Sequence, residues 1–299
     1  MNQSGLNGIS SPAFRGAAFM VLAGLGFTLV NVVTQHVTMN LGLPPTADAF
    51  WQYGFALLFS LPVVVKAGVR ALATRRPLTH LARVALSVLG VQAWVMGLAN
   101  GVPIWQAIAL VMTSPFFVTS GAALFLDEKV TAERWGAITL GFAGAMVILS
   151  PWSDAFSLYS LLPVLAAALW GGASLLTKSL LPEESSATVT VWLLLLLTPV
   201  NAAFSVAAGF QWPTGEILGW VALSGLVMAL AQYWLAKAYE SADAAYVQPF
   251  DDLKLPLNVA AGWIVFGYAP EGYLWLGAAM ILIASMANIA VEQKRLRTA

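Results

Sequence analysis

Long runs of hydrophobic residues, separated by short polar segments, extend over almost the whole chain. An α-helix needs about 20 mainly apolar residues to cross the hydrocarbon core of a bilayer. Runs of that length predict ten membrane-spanning helices. The first five are predicted at 14–37, 48–69, 80–99, 103–126 and 132–150, and the second five at 157–178, 187–209, 216–237, 242–266 and 272–292. The predicted fold class is therefore an all-α membrane protein.

The second half of this pattern repeats the first half at an offset of 141 residues. Pro115 matches Pro256, and Trp105 matches Tyr246. Each repeat holds five helices, so the second copy enters the membrane in the opposite sense. Inverted repeats are typical of secondary transporters, which bind their solute near the bilayer midplane between the halves. We expect a first five-helix repeat at 14–151, a second at 157–292, and cytoplasmic tails at 1–13 and 293–299.

The positively charged residues indicate how the predicted helices are oriented. Every Lys and Arg except Lys254 falls near a helix end or in a loop on one side of the membrane. The loops of the other side carry only acidic charges, such as Asp48 and Glu216. Cytoplasmic loops are enriched in Lys and Arg, so both termini are assigned to the cytoplasm. The chain is predicted to be a multi-pass protein of the bacterial inner membrane.

The composition agrees with a membrane protein and argues against several other classes of function. Hydrophobic residues make up 59% of the chain, charged residues 9%, and the mean hydropathy is +0.78, whereas about a quarter of a soluble protein is charged. The net charge of zero gives no reason to expect a nucleic-acid partner. The chain has no cysteine, two histidines and no nucleotide-binding loop. We therefore expect no metal site, no cofactor, no direct use of ATP and no enzymatic activity.

Several motifs give the chain a resemblance to a known family. They are Pro115 within Ser-Pro-Phe-Phe-Val, then Asp127-Glu128-Lys129, Gly136, Gly141 and Gly144, and in the second half Leu255-Pro256-Leu257, Phe266-Gly267 and Gly277-Ala278. In these residues the chain resembles the EamA-type members of the drug/metabolite transporter superfamily, from about Phe14 to Val291. The resemblance implies an inner-membrane carrier of small metabolites. The chain departs from the family where Tyr268-Ala269 replaces a second Gly-Glu and where Gln52 replaces a common Arg.

The ninth predicted helix contains an unusual group of charges. Asp251, Asp252 and Lys254 lie near the middle of an apolar segment, where an ionisable group costs about 2.5–3.5 kcal/mol to insert. The equivalent positions of the first repeat are uncharged, so the scaffold does not require them. Asp251, Lys254 and Asn258 share one face of the helix. Two interpretations are open: an ion pair holds the second half together, or at least one charged group faces a central cavity and binds the solute or a proton.

Other polar and aromatic residues within the predicted helices are further candidates for binding the solute or a proton. They are Gln248, Gln92, Gln232, Asn31, Trp105, Trp170 and Tyr246. For any single polar residue, a hydrogen bond between helices is the more common role. Pro115, Pro249 and Pro256 are predicted to kink their helices, because proline removes a backbone donor.

The mixed charge of the ninth helix favours a zwitterionic solute. The leading hypothesis is a secondary transporter that exports an amino acid or an amino-acid-derived compound, including opine-type metallophores, by alternating access. The alternative is a carrier or importer of a nucleobase, a flavin-like compound or an adenosyl-sulfonium metabolite. A membrane-embedded enzyme and a non-transporting receptor are the alternatives from other classes. The expected partners are the lipid bilayer and a small molecule, with a proton as a candidate coupling ion, in a monomer or homodimer.

Overall fold

Helices form all of the regular secondary structure in the residues that the computed structural model describes, which are 12–67, 72–102, 104–149, 152, 156–251, 254–267 and 273–298. The α-helices are α1 (Pro12–Gln35), α2 (Pro45–Ala67), α3 (Pro77–Ala99), α4 (Ile104–Val111), α5 (Ser114–Phe125), α6 (Ala132–Leu149), α7 (Leu161–Leu180), α8 (Ser186–Ala207), α9 (Glu216–Ser241), α10 (Ala244–Asp251), α11 (Lys254–Phe266) and α12 (Leu274–Thr298). A π-helical turn (His36–Asn40) continues α1, and a 3₁₀ turn (Leu158–Ser160) precedes α7. The predicted all-α class is confirmed for these residues.

Five helical segments are long and apolar enough to cross a membrane by length and composition. They are Pro12–Asn40, Gln106–Phe125, Leu158–Leu180, Ser186–Ala207 and Glu216–Ser241. A shorter apolar segment covers Leu274–Ala284. These segments agree with predicted spans one, four, six, seven, eight and ten, although most observed ends differ from the predicted ones by a few residues.

The fourth predicted helix is broken, whereas the sequence pattern predicted it as continuous. Between α4 and α5 the backbone changes to i→i−3 hydrogen bonds, from Thr113 N to the Leu110 carbonyl at 3.1 Å and from Phe116 N to the Thr113 carbonyl at 3.0 Å. Pro115 lies in the first turn of α5, where its missing N–H cannot continue the helical ladder. The predicted kink at Pro115 is therefore observed as a break. The ninth predicted helix corresponds to α10 and α11, and the two residues between them, 252 and 253, lie outside the described part of the chain.

The packing places helices from the first half of the chain against helices from the second half. α1 packs on α9, α3 packs on α7, and α6 packs on α12. α2 contacts both α8 and α9, and α1 also contacts α10 and α11. The two halves are therefore interlocked along several helices, and the charged segment of α10 and α11 lies beside α1.

His80 stabilises the beginning of α3. It lies in the first turn of α3, is almost completely buried, and its Nε2 lies 2.9 Å from Glu184 Oε2. The His80 ring stacks on Trp192, with ring centroids 5.3 Å apart. Its contacts tie the start of α3 to the turn between α7 and α8, so His80 supports the packing of these helices.

Candidate functional site

A group of polar side chains connects α1 to α11. The Asn31 amide donates to the Asn258 side-chain oxygen at 3.1 Å. Asn258 donates to the Thr28 hydroxyl at 3.2 Å and to the Lys254 carbonyl at 2.7 Å. Gly24 allows the two helices to approach, since a Cβ built there would lie 3.6 Å from the Lys254 Cβ. We call Thr28, Asn31, Lys254 and Asn258 the polar junction, which joins the two halves of the chain.

Asn31 presents an exposed amide on the side of α1 that faces away from its leucines. Leu22, Leu25 and Leu29 are exposed along one stripe of α1, as expected for a surface that contacts lipid. At 100° per residue, Asn31 lies about 180° from Leu22, and it is also exposed. Polar residues within membrane helices face the protein interior or a water-filled cavity. The exposed amide of Asn31 is therefore on the side of α1 opposite the leucine stripe, where it contacts α11.

A second group of polar contacts leads from the buried core to the charged segment. The Tyr239 hydroxyl donates to Gln248 Oε1 at 2.7 Å, and Gln248 Nε2 lies 3.5 Å from Asp251 Oδ2. Lys254 Nζ donates to the same carboxylate oxygen at 2.5 Å. Asp251 thus receives one donor from Gln248 on α10 and one from Lys254 on α11, and the two predicted candidates Gln248 and Asp251 are in contact.

The Asp251–Lys254 ion pair is present, and its two side chains keep part of their surface exposed. The exposed fraction is 10% for the Asp251 side chain and 18% for the Lys254 side chain. The pair has no net charge, so these two groups do not offer separate positive and negative sites to a zwitterion. Asp252, the third charged residue of the segment, lies outside the described residues.

The other predicted candidates lie in different places. Tyr246 is buried in the core cluster with Tyr239 and packs edge-on against Phe250, so it is not on an open surface. Trp170 lies between α3 and α7, where its indole donates to the Ser87 carbonyl at 3.2 Å. Gln92 on α3 and Gln232 on α9 are half-buried, and both belong to helices other than α1 and α11, which form the polar junction. The side chains of Trp105, Pro249 and Pro256 lie outside the described part of the chain.

A polar network that the sequence did not single out connects α1, α2 and α9. Gln52 Nε2 donates to the Thr34 hydroxyl at 3.1 Å and to the Ser224 hydroxyl at 2.6 Å. Thr34 is also hydrogen-bonded to the Asp48 carboxylate. Asp48 was predicted in a loop, but it lies within the first turn of α2 and is almost completely buried. Thr34 and Gln52 are polar residues within apolar segments of the sequence, which is a partial signal, but the burial of Asp48 depends on tertiary packing.

Glu128 and Lys178 hold the turn between α9 and α10. Glu128 accepts hydrogen bonds at 3.0 Å from the backbone nitrogens of Ala244 and Ala245, the first two residues of α10. Lys178 donates to the carbonyls of Tyr239 and Ala242 at the end of α9, at 2.8 and 2.6 Å. An acidic group at a helix N-terminus and a basic group at a C-terminus both interact favourably with the helix dipole. Because Glu128 is part of the family motif, the sequence marked it as a notable residue. The sequence did not predict that it would contact α10.

Replacing Glu128 with Ala should destabilise the protein, because two N–H groups at the start of α10 lose their acceptor. A lost helix cap costs about 0.5–2 kcal/mol, which should lower the apparent melting temperature of the purified protein in detergent. The control is Lys129→Ala, since Lys129 is the exposed next residue. Equal melting temperatures for the two variants would show that the Glu128 contacts contribute nothing measurable.

These features define a class: an all-helical membrane protein with interlocked halves, a broken fourth helix and polar groups at the junction between the halves. Broken helices at an interface between halves are typical of secondary transporters. The sequence matches the model of the EamA-like transporter family twice, over residues 14–150 and 157–289. This chain belongs to the EamA-like transporter family. It is therefore a secondary transporter and not an enzyme, and the predicted resemblance is confirmed.

Curated relatives cover nearly the whole chain. The chain is 60% identical to a riboflavin transporter of Rhizobium johnstonii, over 99% of this chain and 98% of the relative. It is 49% identical to a riboflavin transporter of Vibrio cholerae, over 95% of both chains. It is 27% identical to an S-adenosylmethionine uptake transporter of Rickettsia felis, over 91% of this chain and 94% of the relative.

A solved crystal structure shares the fold. It superposes with a TM-score of 0.68, covering 91% of this chain and 98% of the solved one, at 15% sequence identity. At that identity the likeness applies to the fold alone.

Proposed function

We propose that this protein carries riboflavin across the bacterial inner membrane, as a ten-helix transporter built from two inverted five-helix repeats. The observation that carries this proposal is the 60% identity, over nearly the full length of both chains, to a protein named as a riboflavin transporter. The relative named for S-adenosylmethionine uptake is much less similar, at 27%. The flavin-like alternative from the sequence analysis is thus better supported than the leading hypothesis of a zwitterion exporter.

The helix packing supports the inverted-repeat part of the proposal. If the first five predicted spans are exchanged for the second five, the pair formed by spans one and eight becomes the pair formed by spans six and three. Both pairs are in contact, as α1 with α9 and as α7 with α3. The two separate matches to the family model point the same way. The basic residues support cytoplasmic termini, by the enrichment of Lys and Arg in cytoplasmic loops.

The chemistry of the polar junction supports a neutral solute. Riboflavin has an uncharged ring system whose imide edge offers one N–H donor between two carbonyl acceptors, and a side chain of hydroxyl groups. The side chain of Asn31 offers one acceptor and one donor, which complement an imide. Within the described residues its carbonyl oxygen forms no hydrogen bond. Asp251 and Lys254 neutralise one another, so a neutral solute meets no uncompensated charge from this pair. We propose that Asn31 recognises the imide edge and that Asn258 positions it.

Riboflavin counterflow in proteoliposomes tests this function. The purified protein is reconstituted into vesicles loaded with riboflavin, and the entry of labelled riboflavin is followed without any ion gradient. Wild-type protein should exchange riboflavin, and excess unlabelled amino acids should not compete. Absence of exchange in vesicles that contain folded protein would contradict the proposal.

Replacing Asn31 with Leu should slow riboflavin exchange by about tenfold or more, because a polar group of the solute then loses its partner at a cost of about 1–3 kcal/mol. Riboflavin methylated at the imide nitrogen should be a poor solute for the wild type. The Asn31→Leu variant should discriminate much less between riboflavin and the methylated compound. The control is Asn201→Leu on α8, where the amide donates to the Leu197 carbonyl of its own helix at 3.0 Å. Unchanged discrimination in Asn31→Leu would exclude Asn31 from recognition of the imide.

A further inference from the structure

Asp48 is a buried acidic residue at the start of α2. Its exposed fraction is 2%. It lies next to Ala47 and one helical turn before Gln52. The neighbouring core cluster is apolar and consists of Val33, Val37, Leu43, Ala47 and Val221, with Trp51, Phe55 and Trp220 packed against it. Transfer of a carboxylate into such surroundings favours the protonated form.

The charge of Asp48 has little compensation within the described residues. The Thr34 hydroxyl is hydrogen-bonded to the carboxylate, while Oδ1 is buried and has no hydrogen-bond partner there. No described Lys, Arg or His side chain forms an ion pair with it. The first turn of a helix favours an anion only modestly, by about 0.3–1 kcal/mol.

Two other titratable groups on the elements packed here, His36 and Glu216, already have partners. His36, on the turn that continues α1, contacts the Asn40 amide at 3.1 Å, and its ring packs edge-on against Trp220. Glu216, in the first turn of α9, accepts from the Trp220 indole at 2.9 Å and is exposed. Neither residue supplies a countercharge to Asp48.

Asp251 differs from Asp48 in this respect, although both are buried carboxyl groups. Lys254 Nζ lies 2.5 Å from Asp251 Oδ2 and supplies a countercharge to that carboxylate. Asp251 is thus held as half of an ion pair. Asp48 has no such cation among the described residues, so a proton is the countercharge available to it.

Protonation of Asp48 would change the hydrogen bonds between helices from both halves. The hydroxyl of Thr34 on α1 now bonds to the ionised carboxylate, which can only accept. A protonated Asp48 can instead donate to Thr34, so the hydroxyl no longer needs to point toward it. Thr34 is connected through the Gln52 amide to Ser224 on α9. One proton therefore alters contacts among α1, α2 and α9, which include both halves of the chain.

We propose that Asp48 is the proton-binding site that couples an inward proton flux to riboflavin uptake. This inference rests on the proposed function. Asp48 lies at the end of α2 opposite the basic loops, on the side that we propose to be periplasmic, where it can receive a proton from outside. The carrier would then release the proton on the cytoplasmic side after the halves rearrange. Asn31 and Asn258 bind the solute, and Asp48 carries the proton at a separate place.

Accumulation driven by a pH gradient separates coupling from solute binding. The membrane potential is held at zero with a potassium ionophore, and the vesicle exterior is made acidic. A gradient of about one pH unit can drive about tenfold accumulation at one proton per solute. Wild-type vesicles should accumulate riboflavin. Asp48→Asn should lose accumulation but retain counterflow within about threefold, since exchange requires no net proton movement.

Three comparisons decide the proposal. Glu216→Gln removes an exposed acidic residue from the first turn of α9 and should accumulate riboflavin like the wild type. Asp48→Glu keeps a titratable carboxyl group and should keep a gradient response. Accumulation by Asp48→Asn at the wild-type level overturns the proposal, as does wild-type counterflow with no response to the gradient. In the second case the riboflavin function stands.

An infrared measurement tests the proton site without any solute. The difference spectrum between acidic and alkaline pH should contain a carbonyl band from a protonated buried carboxyl group. This band should be absent in Asp48→Asn and present in Asp251→Asn. An identical band in wild type and Asp48→Asn would contradict the assignment, whatever solute the protein carries.

Discussion

Replacing Asp251 with Asn should both destabilise the protein and abolish most transport. The substitution leaves Lys254 charged without its partner, in a position where its side chain is only 18% exposed. Removing one member of a buried ion pair costs about 3–5 kcal/mol, because the remaining charge is uncompensated. The measurement is the apparent melting temperature in detergent, together with riboflavin counterflow in vesicles.

The double variant Asp251→Asn, Lys254→Met distinguishes the two interpretations of the ion pair. Removing both charges should restore most of the stability, since neutral replacement of a buried pair is often tolerated. If the pair also shapes the solute site, riboflavin exchange should remain about tenfold below the wild type or lower, as expected for one lost hydrogen bond to a charged group. Recovery of both stability and exchange would assign the pair a purely structural role.

A matched control for this pair exists on α9. Lys237 and Glu240 form an ion pair with the same i,i+3 spacing at 2.8 Å, but their side chains are about a third exposed. Exposed pairs contribute about 0–1 kcal/mol, so Glu240→Gln should change the melting temperature little. A loss as large as that of Asp251→Asn would show that burial is not the cause.

Replacing Gly277 with Leu should prevent α6 and α12 from packing, and we expect little folded protein. A Cβ at Gly277 would lie 2.5 Å from the Gly144 carbonyl oxygen, and a Cβ at Gly144 would lie 2.7 Å from the Gly277 carbonyl oxygen. These neighbours are backbone atoms and cannot rotate away. Overpacking typically costs about 1–3 kcal/mol, and more where backbones must separate. The measurement is the yield of monodisperse protein in detergent and its melting temperature.

Gly136→Leu is the control for the glycine prediction. Gly136 lies on α6, but nothing comes within 4 Å of a Cβ built there. The variant should therefore fold like the wild type and should gain slightly in helix propensity. Normal yield from Gly277→Leu would contradict the close helix contact.

The two glycines show what an internal repeat can predict. Gly136 and Gly277 correspond at the offset of 141 residues, yet one is free of contacts and the other lies against a backbone. Small residues in membrane helices are typical of close helix contacts, and Gly24, Gly26, Gly141 and Gly144 are such residues on α1 and α6. A Cβ at Gly26 or Gly144 would come within 3 Å of another atom, whereas Gly24 and Gly141 have ordinary contacts at 3.6 and 3.4 Å. A small residue permits a close approach, but the position of the facing helix determines whether one occurs.

The candidate site was predictable in part. Asp251, Lys254 and Asn258 could be grouped from their spacing on one helix, because i,i+3 and i,i+4 neighbours are close in any helix. The contact of Asn258 with Asn31 and Thr28 could not be predicted in this way, since those residues are more than 200 positions away in sequence. Tyr246 was a reasonable candidate from the repeat, but the packing of α10 places it in the core.

The sequence by itself determined the helical membrane class, the family, and the charged segment in the ninth helix, because hydrophobic length, motifs and charge are local properties. Only the tertiary structure decided which charges have partners. Asp251 and Asp48 are both acidic residues in or beside apolar segments. Lys254 compensates the first, while the second is next in sequence to a residue of an apolar cluster and is hydrogen-bonded to the Thr34 hydroxyl. That difference arises from which helices pack together, and it assigns the two carboxyl groups to different proposed roles.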